Sequence, residues 1–242
     1  MLLNLVLLFI AVAALIFAYT LGPYLWGRWV RSVVRNGDQA GKQVAITFDD
    51  GPDPLYTPRC LEILNAHRVQ ATFFLIGRKV KMYPELVRQI LAQGHDVGNH
   101  TWSHQYHWKI GPRRAMQEVR QGNEEIAQAI GKGPRYFRPA FGIMNLFSYW
   151  QARRLGQRCV LWSVEGADWE GGAGGRSAKA IADTITASLQ GGSIVLLHDS
   201  GGADRAPETM LDALPEIISE AKRRGLRPVA ISEMLEGKKN AV

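Results

Sequence analysis

From residue 43 to residue 235, short, apolar, β-rich runs alternate with longer segments of helical spacing, and this limits the possible folds more than any other feature. The runs "QVAITF" (43–48), "ATFFLIG" (71–77), "HDVGNH" (95–100), "RYFRPA" (135–140), "CVLWSV" (159–164) and "SIVLLHD" (193–199) read as strands. Between them "TPRCLEILNAHRV" reads as a helix with Pro58 in its first turn, "YPELVRQILAQG" as one stopped by Gly94, and residues 112–130 as another. "NLFSYWQARRLG", "SAKAIADTITASLQGG" and, despite Pro215, "PETMLDALPEIISEAKRRG" supply the later helices, and "RPVAISEML" closes the body as a strand and turn. The strands are apolar throughout rather than alternating, so both faces are expected to be buried, as in a parallel sheet wrapped by helices. A barrel of (β/α) units and an open doubly wound sheet both fit. The first βα turn, "DDGPDP", holds neither GxGxxG nor GxxxxGK[ST], which argues against dinucleotide and P-loop binding.

Ahead of this body, residues 2–27 carry no charged side chain, and the run exceeds the roughly 20 residues that span a bilayer as a helix. Tyr19, Tyr24, Trp26 and Trp29 fit an interfacial aromatic belt. A cleaved signal peptide competes, but there is no basic n-region, the apolar core is too long, and no clear small-x-small cleavage site follows. The expected organisation is an uncleaved transmembrane anchor over residues 1–27, a basic juxtamembrane linker over 28–42, a folded domain over 43–237 and a tail over 238–242. The net charge of +7 owes much to Arg28, Arg31, Arg35 and Lys42 in the linker. The body is only mildly basic and has no arginine- or lysine-rich block, so no nucleic-acid partner is expected. Cys60 and Cys159 lack CxxC spacing and read as buried free thiols.

The conspicuous ionisable groups fall at the C-terminal ends of the expected strands. Asp49 and Asp50 end the first, His100 and His104 follow the third, and Arg138 closes the fourth. Asp168 follows the fifth, and His198 with Asp199 ends the sixth. In (β/α) barrels that face carries the active site. Neighbouring residues on a strand point to opposite faces, so Asp49 and Asp50 share a site only if the Gly51-Pro52 turn breaks the strand. His100 and His104 stand at i, i+4, neighbours on a helical face, and with Asp50 they make a two-imidazole, one-carboxylate set suited to zinc or another divalent first-row metal. His67, His95 and His107 lie at a helix end, in a turn and in an aromatic loop, and are not expected to be ligands.

"TFDDGP" (47–52), "HTWSH" (100–104), "RPAFG" (138–142), "EGADW" (165–169) and "LLH" (196–198) together resemble the motifs of the NodB-homology polysaccharide deacetylases, carbohydrate esterase family 4, in order and over nearly all of residues 43–235. Glu165 departs from the family's D-x-x-D-W motif, which keeps Asp168 and Trp169, and the insert "GGAGGRS" after it makes the adjacent loop hard to place. The resemblance implies a distorted (β/α) barrel of about seven units and metal-dependent removal of N-acetyl groups from N-acetylglucosamine-type carbohydrate. It implies Asp49 as general base, Asp50, His100 and His104 as ligands of a divalent metal (zinc first, with cobalt, nickel or manganese as alternatives), and Arg138 as the partner of Asp49. His198 is the implied general acid, aligned by Asp168, with Pro139, Phe141, Trp169 and Leu196 toward the substrate. The alternatives are a deacylase or deformylase of a lipid-linked amino sugar at the membrane, and an inactive membrane-tethered glycan-binding module. The expected partners are carbohydrate and, through the N-terminal helix, the membrane, with no protein partner. The expected location is the cell membrane, single-pass, with the catalytic domain extracytoplasmic and the cytoplasmic side left open by the basic linker.

Overall fold

The computed structural model describes residues 2–29 and 33–237, with side chains over 2–17 and 33–237. In chain order the elements are α1 (Leu2–Trp29), β1 (Val33–Val34), β2 (Gln43–Asp49), α2 (Tyr56–Ala66), β3 (Thr72–Leu75), α3 (Gly77–Met82), α4 (Pro84–Ala92), β4 (Asp96–Asn99) and α5 (Pro112–Ile130). They continue with β5 (Tyr136–Phe137), α6 (Leu146–Arg154), β6 (Arg158–Val160), β7 (Val164–Glu165), α7 (Ala178–Ser188), β8 (Ile194–His198), α8 (Ala206–Arg223), β9 (Arg227–Val229) and α9 (Ile231–Glu236).

The strands form one parallel sheet in the order β1-β6-β5-β4-β3-β2-β8-β7, with β9 also on β2. Ala45 pairs with both Ile194 of β8 and Val229 of β9, so β9 lies on the β3 side of β2. β6 and β7 sit toward opposite ends of this order, yet only Leu161–Ser163 separates them. The chain from Val160 to Val164 reaches at most about 14 Å, so the two ends of the sheet must approach each other. The sheet is therefore strongly curled, but β1 and β7 do not pair. The result is a curled, open half-barrel rather than the expected distorted barrel.

Central strands are buried along their length, as their continuous apolar sequence requires: Phe48, Phe73, Phe74 and Leu75 are inaccessible, and Phe48 stacks on Phe73 at 4.9 Å. Helices begin where the sequence supplies caps. Pro84 and Pro112 occupy first-turn positions, Asn145 and Ser148 form a capping box on α6, and Ser177 caps α7. Three local expectations change. "CVLWSV" divides into β6 and β7, the residues after Val229 form α9, and α3 follows β3 directly. Val33–Val34, inside the expected linker, is a buried edge strand registered on Cys159 and Val160, as suits a β-branched pair.

The membrane reading is corrected. Among the described residues no helix is long and apolar enough to cross a membrane. The single-pass anchor over residues 1–27 and the cell-membrane location are withdrawn on that finding. In the part of α1 with described side chains, residues 2–17, the apolar groups are exposed. The side chains of Tyr19, Tyr24, Trp26, Arg28 and Trp29 lie outside the described residues, as do Arg31 and residues 238–242.

α3 and α5 meet at Gly77 and Gly122, where a Cβ on Gly122 would stand 2.3 Å from Asn99 Oδ1 and 2.8 Å from the Thr101 carbonyl. Gly122→Ala is expected to cost about 1–3 kcal/mol, read as a lower urea midpoint with unchanged m-value.

Candidate active site

Asp49 is the last residue of β2, registered opposite His198 of β8 and only 3% exposed. Asp50 adopts φ +73°, a left-handed conformation uncommon for residues other than glycine. The strand geometry thus ends at Asp50 itself, one residue before the Gly51-Pro52 turn, and this lets adjacent carboxylates face one cleft. Gly51 is needed for space, because a Cβ there would lie 2.6 Å from the Asp199 carboxylate oxygens.

The two histidines converge without the helix their spacing suggests. Residues 100–104 form an irregular loop after β4, in which Thr101 (φ +68°) and His104 (φ +57°) are left-handed. The Thr101 N–H donates to Asn99 Oδ1 (3.0 Å), the His104 N–H to Thr101 Oγ1 (3.1 Å), and the Ser103 N–H to buried Glu118 on α5 (2.7 Å). Asp50 Oδ1 stands 3.4 Å from His100 Nε2 and 3.1 Å from His104 Nε2. It is buried and makes no hydrogen bond. The donor atoms of the three residues lie within 4.8 Å of one another, so they could hold a metal ion.

Burial lowers His100, but neighbouring Asp49 and Asp50 raise it above the ordinary histidine value, so a cation there displaces a proton from it. His100 Nδ1 donates to the Arg138 carbonyl oxygen at 2.8 Å in the tautomer that frees Nε2 as a lone-pair donor. Burial and neighbouring His100 push His104 down to about 4 against the pull of Asp50, so its imidazole is neutral. Burial alone would raise Asp50, but His100 and His104 hold its carboxyl below the usual carboxylate range.

Arg138, fully buried, donates to Asp49 Oδ1 (2.7 Å), Thr47 Oγ1 (2.8 Å), and the carbonyls of Val160 (3.1 Å) and Leu161 (3.2 Å). Burial pulls its guanidinium down while Asp49 opposes the shift. Across the cleft, Asp168 accepts twice from His198: from its N–H at 2.7 Å and from Nδ1 at 3.0 Å. Burial lowers His198, but the charge and hydrogen bond of Asp168, helped by Asp49 and Asp50, push it up to about 9. Trp169 meets the His198 ring edge-on at 5.5 Å.

Asp49, Asp50, His100, His104 and His198 line a cleft of about 740 Å³, with Arg138 and Asp168 buried behind it. Phe141, Trp169 and Leu196 also line it, whereas Pro139 is buried and does not. The histidines set aside are elsewhere or unsuited: His95 Nδ1 accepts from the Ala71 N–H at 3.1 Å, and His107 is buried with neither ring nitrogen bonded.

The polysaccharide deacetylase family model matches residues 36–160. The chain belongs to the polysaccharide deacetylase family. It is 38% identical over 199 residues to the peptidoglycan-N-acetylglucosamine deacetylase of Bacillus cereus, covering 81% of this chain and 90% of the relative. It is 38% identical over 182 residues to the chitooligosaccharide deacetylase of Sinorhizobium fredii, covering 75% and 82%. A crystal structure of a peptidoglycan N-acetylglucosamine deacetylase in complex with 4-naphthalen-1-yl-N-oxidanyl-benzamide superposes with a TM-score of 0.79 at 32% identity, over 86% of this chain and 94% of that one. This polysaccharide deacetylase is an enzyme acting on carbon–nitrogen amide bonds.

The deacetylase cleft also contains residues that sequence reasoning did not select: Arg78, Lys79, Tyr106 and Trp162. Tyr106 stacks on Phe141 with ring centroids 3.7 Å apart, a contact between loops distant in sequence. Glu165, the departure from the motif, accepts from the Trp162 indole N–H at 2.6 Å at the cleft wall, while Asp168 alone engages His198. The glycine-rich insert packs away from the cleft, with the Gly172 N–H donating to Thr209 of α8 at 2.9 Å.

In the metal-free chain the His198 imidazole is expected to titrate near pH 9 by NMR. Because its folded value is raised, its stabilising contribution is complete below the ordinary histidine value of about 6.5 and is lost as pH rises through about 9. Asp168→Asn is expected to move the titration down by about 1–3 pH units.

Proposed function

We propose that the chain removes N-acetyl groups from N-acetylglucosamine-type glycan with a divalent cation held by Asp50, His100 and His104. The observation that carries this reading is the placement of Asp49 and His198, registered on adjacent strands, beside that ligand set in one cleft. Two imidazoles and one carboxylate leave coordination positions open and suit zinc, with cobalt, nickel or manganese acceptable. When bound, such a cation acidifies water and polarises the acetyl carbonyl.

Arg138 occupies Asp49 Oδ1, which leaves Oδ2 to accept the proton of the attacking water. The ion pair also keeps Asp49 from swinging away from the cleft. His198 Nδ1 is committed to Asp168, so Nε2 carries the proton delivered to the departing sugar nitrogen. That delivery matters because an amine is a far better leaving group than an amide anion. Phe141, Trp169 and Leu196 give the acetyl methyl and sugar face an apolar wall. The activity belongs to residues 43–237, with Val33–Val34 as an added edge strand.

Acetate release from a panel of N-acetylated glycans, with the full chain loaded with zinc, tests the reading. Asp49→Asn and His198→Ala are each expected to lower kcat about 10²–10⁴-fold, and chelation to abolish turnover until metal is restored. Full activity in both variants would falsify the assigned roles.

A further inference from the structure

The short helix α3 grips both halves of the ligand set. Its first backbone groups hold the histidine loop: the Gly77 N–H donates to the Thr101 carbonyl at 2.9 Å and the Arg78 N–H to the Trp102 carbonyl at 3.0 Å. Just before the helix, the Ile76 N–H donates to the Gly51 carbonyl at 2.9 Å. One turn on, Lys79 Nζ donates to the Asp50 carbonyl oxygen at 2.8 Å and also to Ser200 Oγ beyond β8. Ser200 Oγ in turn reaches Asp53 Oδ2 at 3.3 Å. Asp50 therefore keeps its left-handed backbone with an ammonium group fastened to its carbonyl, and its side-chain Oδ1 points at the imidazoles.

We infer that Lys79 is a positioning residue that sets the affinity of the cation site by fixing the Asp50 main chain against the His100–His104 loop. The inference rests on the function proposed above. A left-handed Asp is disfavoured on its own, and a ligand whose backbone can relax presents its carboxylate less often in the coordinating position. Groups that orient metal ligands in this way commonly govern affinity about 10–100-fold. Lys79 touches Asp50 through the backbone, so it leaves the carboxylate free to coordinate.

Charge and positioning predict opposite signs. A lysine ammonium near a dication repels it, so if Lys79 acted by charge alone, its removal would tighten cation binding. If it acts by holding Asp50, removal weakens binding. Co²⁺ titration of the full chain, followed by visible absorption and checked with a competing chelator, separates the two. Lys79→Met is expected to weaken Co²⁺ binding about 10–100-fold. Lys79→Cys is expected to do the same, and alkylation with 2-bromoethylamine, which rebuilds an ammonium on a side chain of nearly lysine length, to restore it. Cys60 and Cys159 are buried with their thiols pushed up by burial, so they are poor competitors for the reagent. The cysteine variant before and after alkylation gives the same comparison should the methionine variant fold poorly. Unchanged or tighter binding in Lys79→Met, or no recovery on alkylation, overturns the inference. A parent chain that binds no Co²⁺ overturns the cation-site reading, and this inference with it.

Discussion

The buried Arg138 guanidinium is the constraint around which the rest of the site is arranged. A buried cation is tolerable only when its donors are occupied by well-placed acceptors. Here the acceptors come from two directions: Thr47 and Asp49 on β2, and the carbonyls of Val160 and Leu161 at the end of β6. Phe74 lies under the guanidinium at 4.0 Å. The Arg138 main-chain carbonyl also accepts from His100 Nδ1. One arginine thus occupies Asp49 Oδ1 and His100 Nδ1, leaving Asp49 Oδ2 and His100 Nε2 for the roles proposed for them. Truncating it removes the charged partner of a nearly buried carboxylate, Asp49.

His198 is handled differently. Asp168 binds both its main chain and its ring, so the imidazole is positioned by a partner on the adjacent loop. Asp49 and His198, the residues proposed to handle protons, therefore rest on independent supports, one a buried cation and the other a carboxylate. The His198 side chain is the more exposed of the two, 15% against 4% for Asp49, which suits the proton-donor role proposed for it.

Much of this arrangement was legible in the sequence, for physical reasons. Apolar strands buried on both faces declare a parallel sheet, and polar residues at their C-terminal ends declare which rim carries the chemistry. The contacts between Arg138 and Asp49 and between Asp168 and His198 are present in the structure. What failed to show were backbone exceptions and long-range convergence. The spacing of His100 and His104 suggests a helical face, but left-handed Thr101 and His104 bring the rings together in a loop. Lys79 carries no motif because its partners, Asp50 and Ser200, arrive from other strands. Tyr106 meets Phe141 by the same kind of long-range approach. The apolar N-terminus illustrates the opposite failure, a strong local pattern that reads as a span, whereas among the described residues no helix is long and apolar enough to cross a membrane.

The passage from β6 to β7 has a broader consequence. Leu161 donates to Val34 at one margin of the sheet and Ser163 to Ile194 at the other, with Trp162 between them on the cleft. The half-barrel is thus joined at its margins by covalent chain rather than by a strand ladder. The same stretch carries the Val160 and Leu161 carbonyls that Arg138 grips, so the wall bearing Trp162 is coupled mechanically to the Asp49 carboxylate on the far side of the guanidinium.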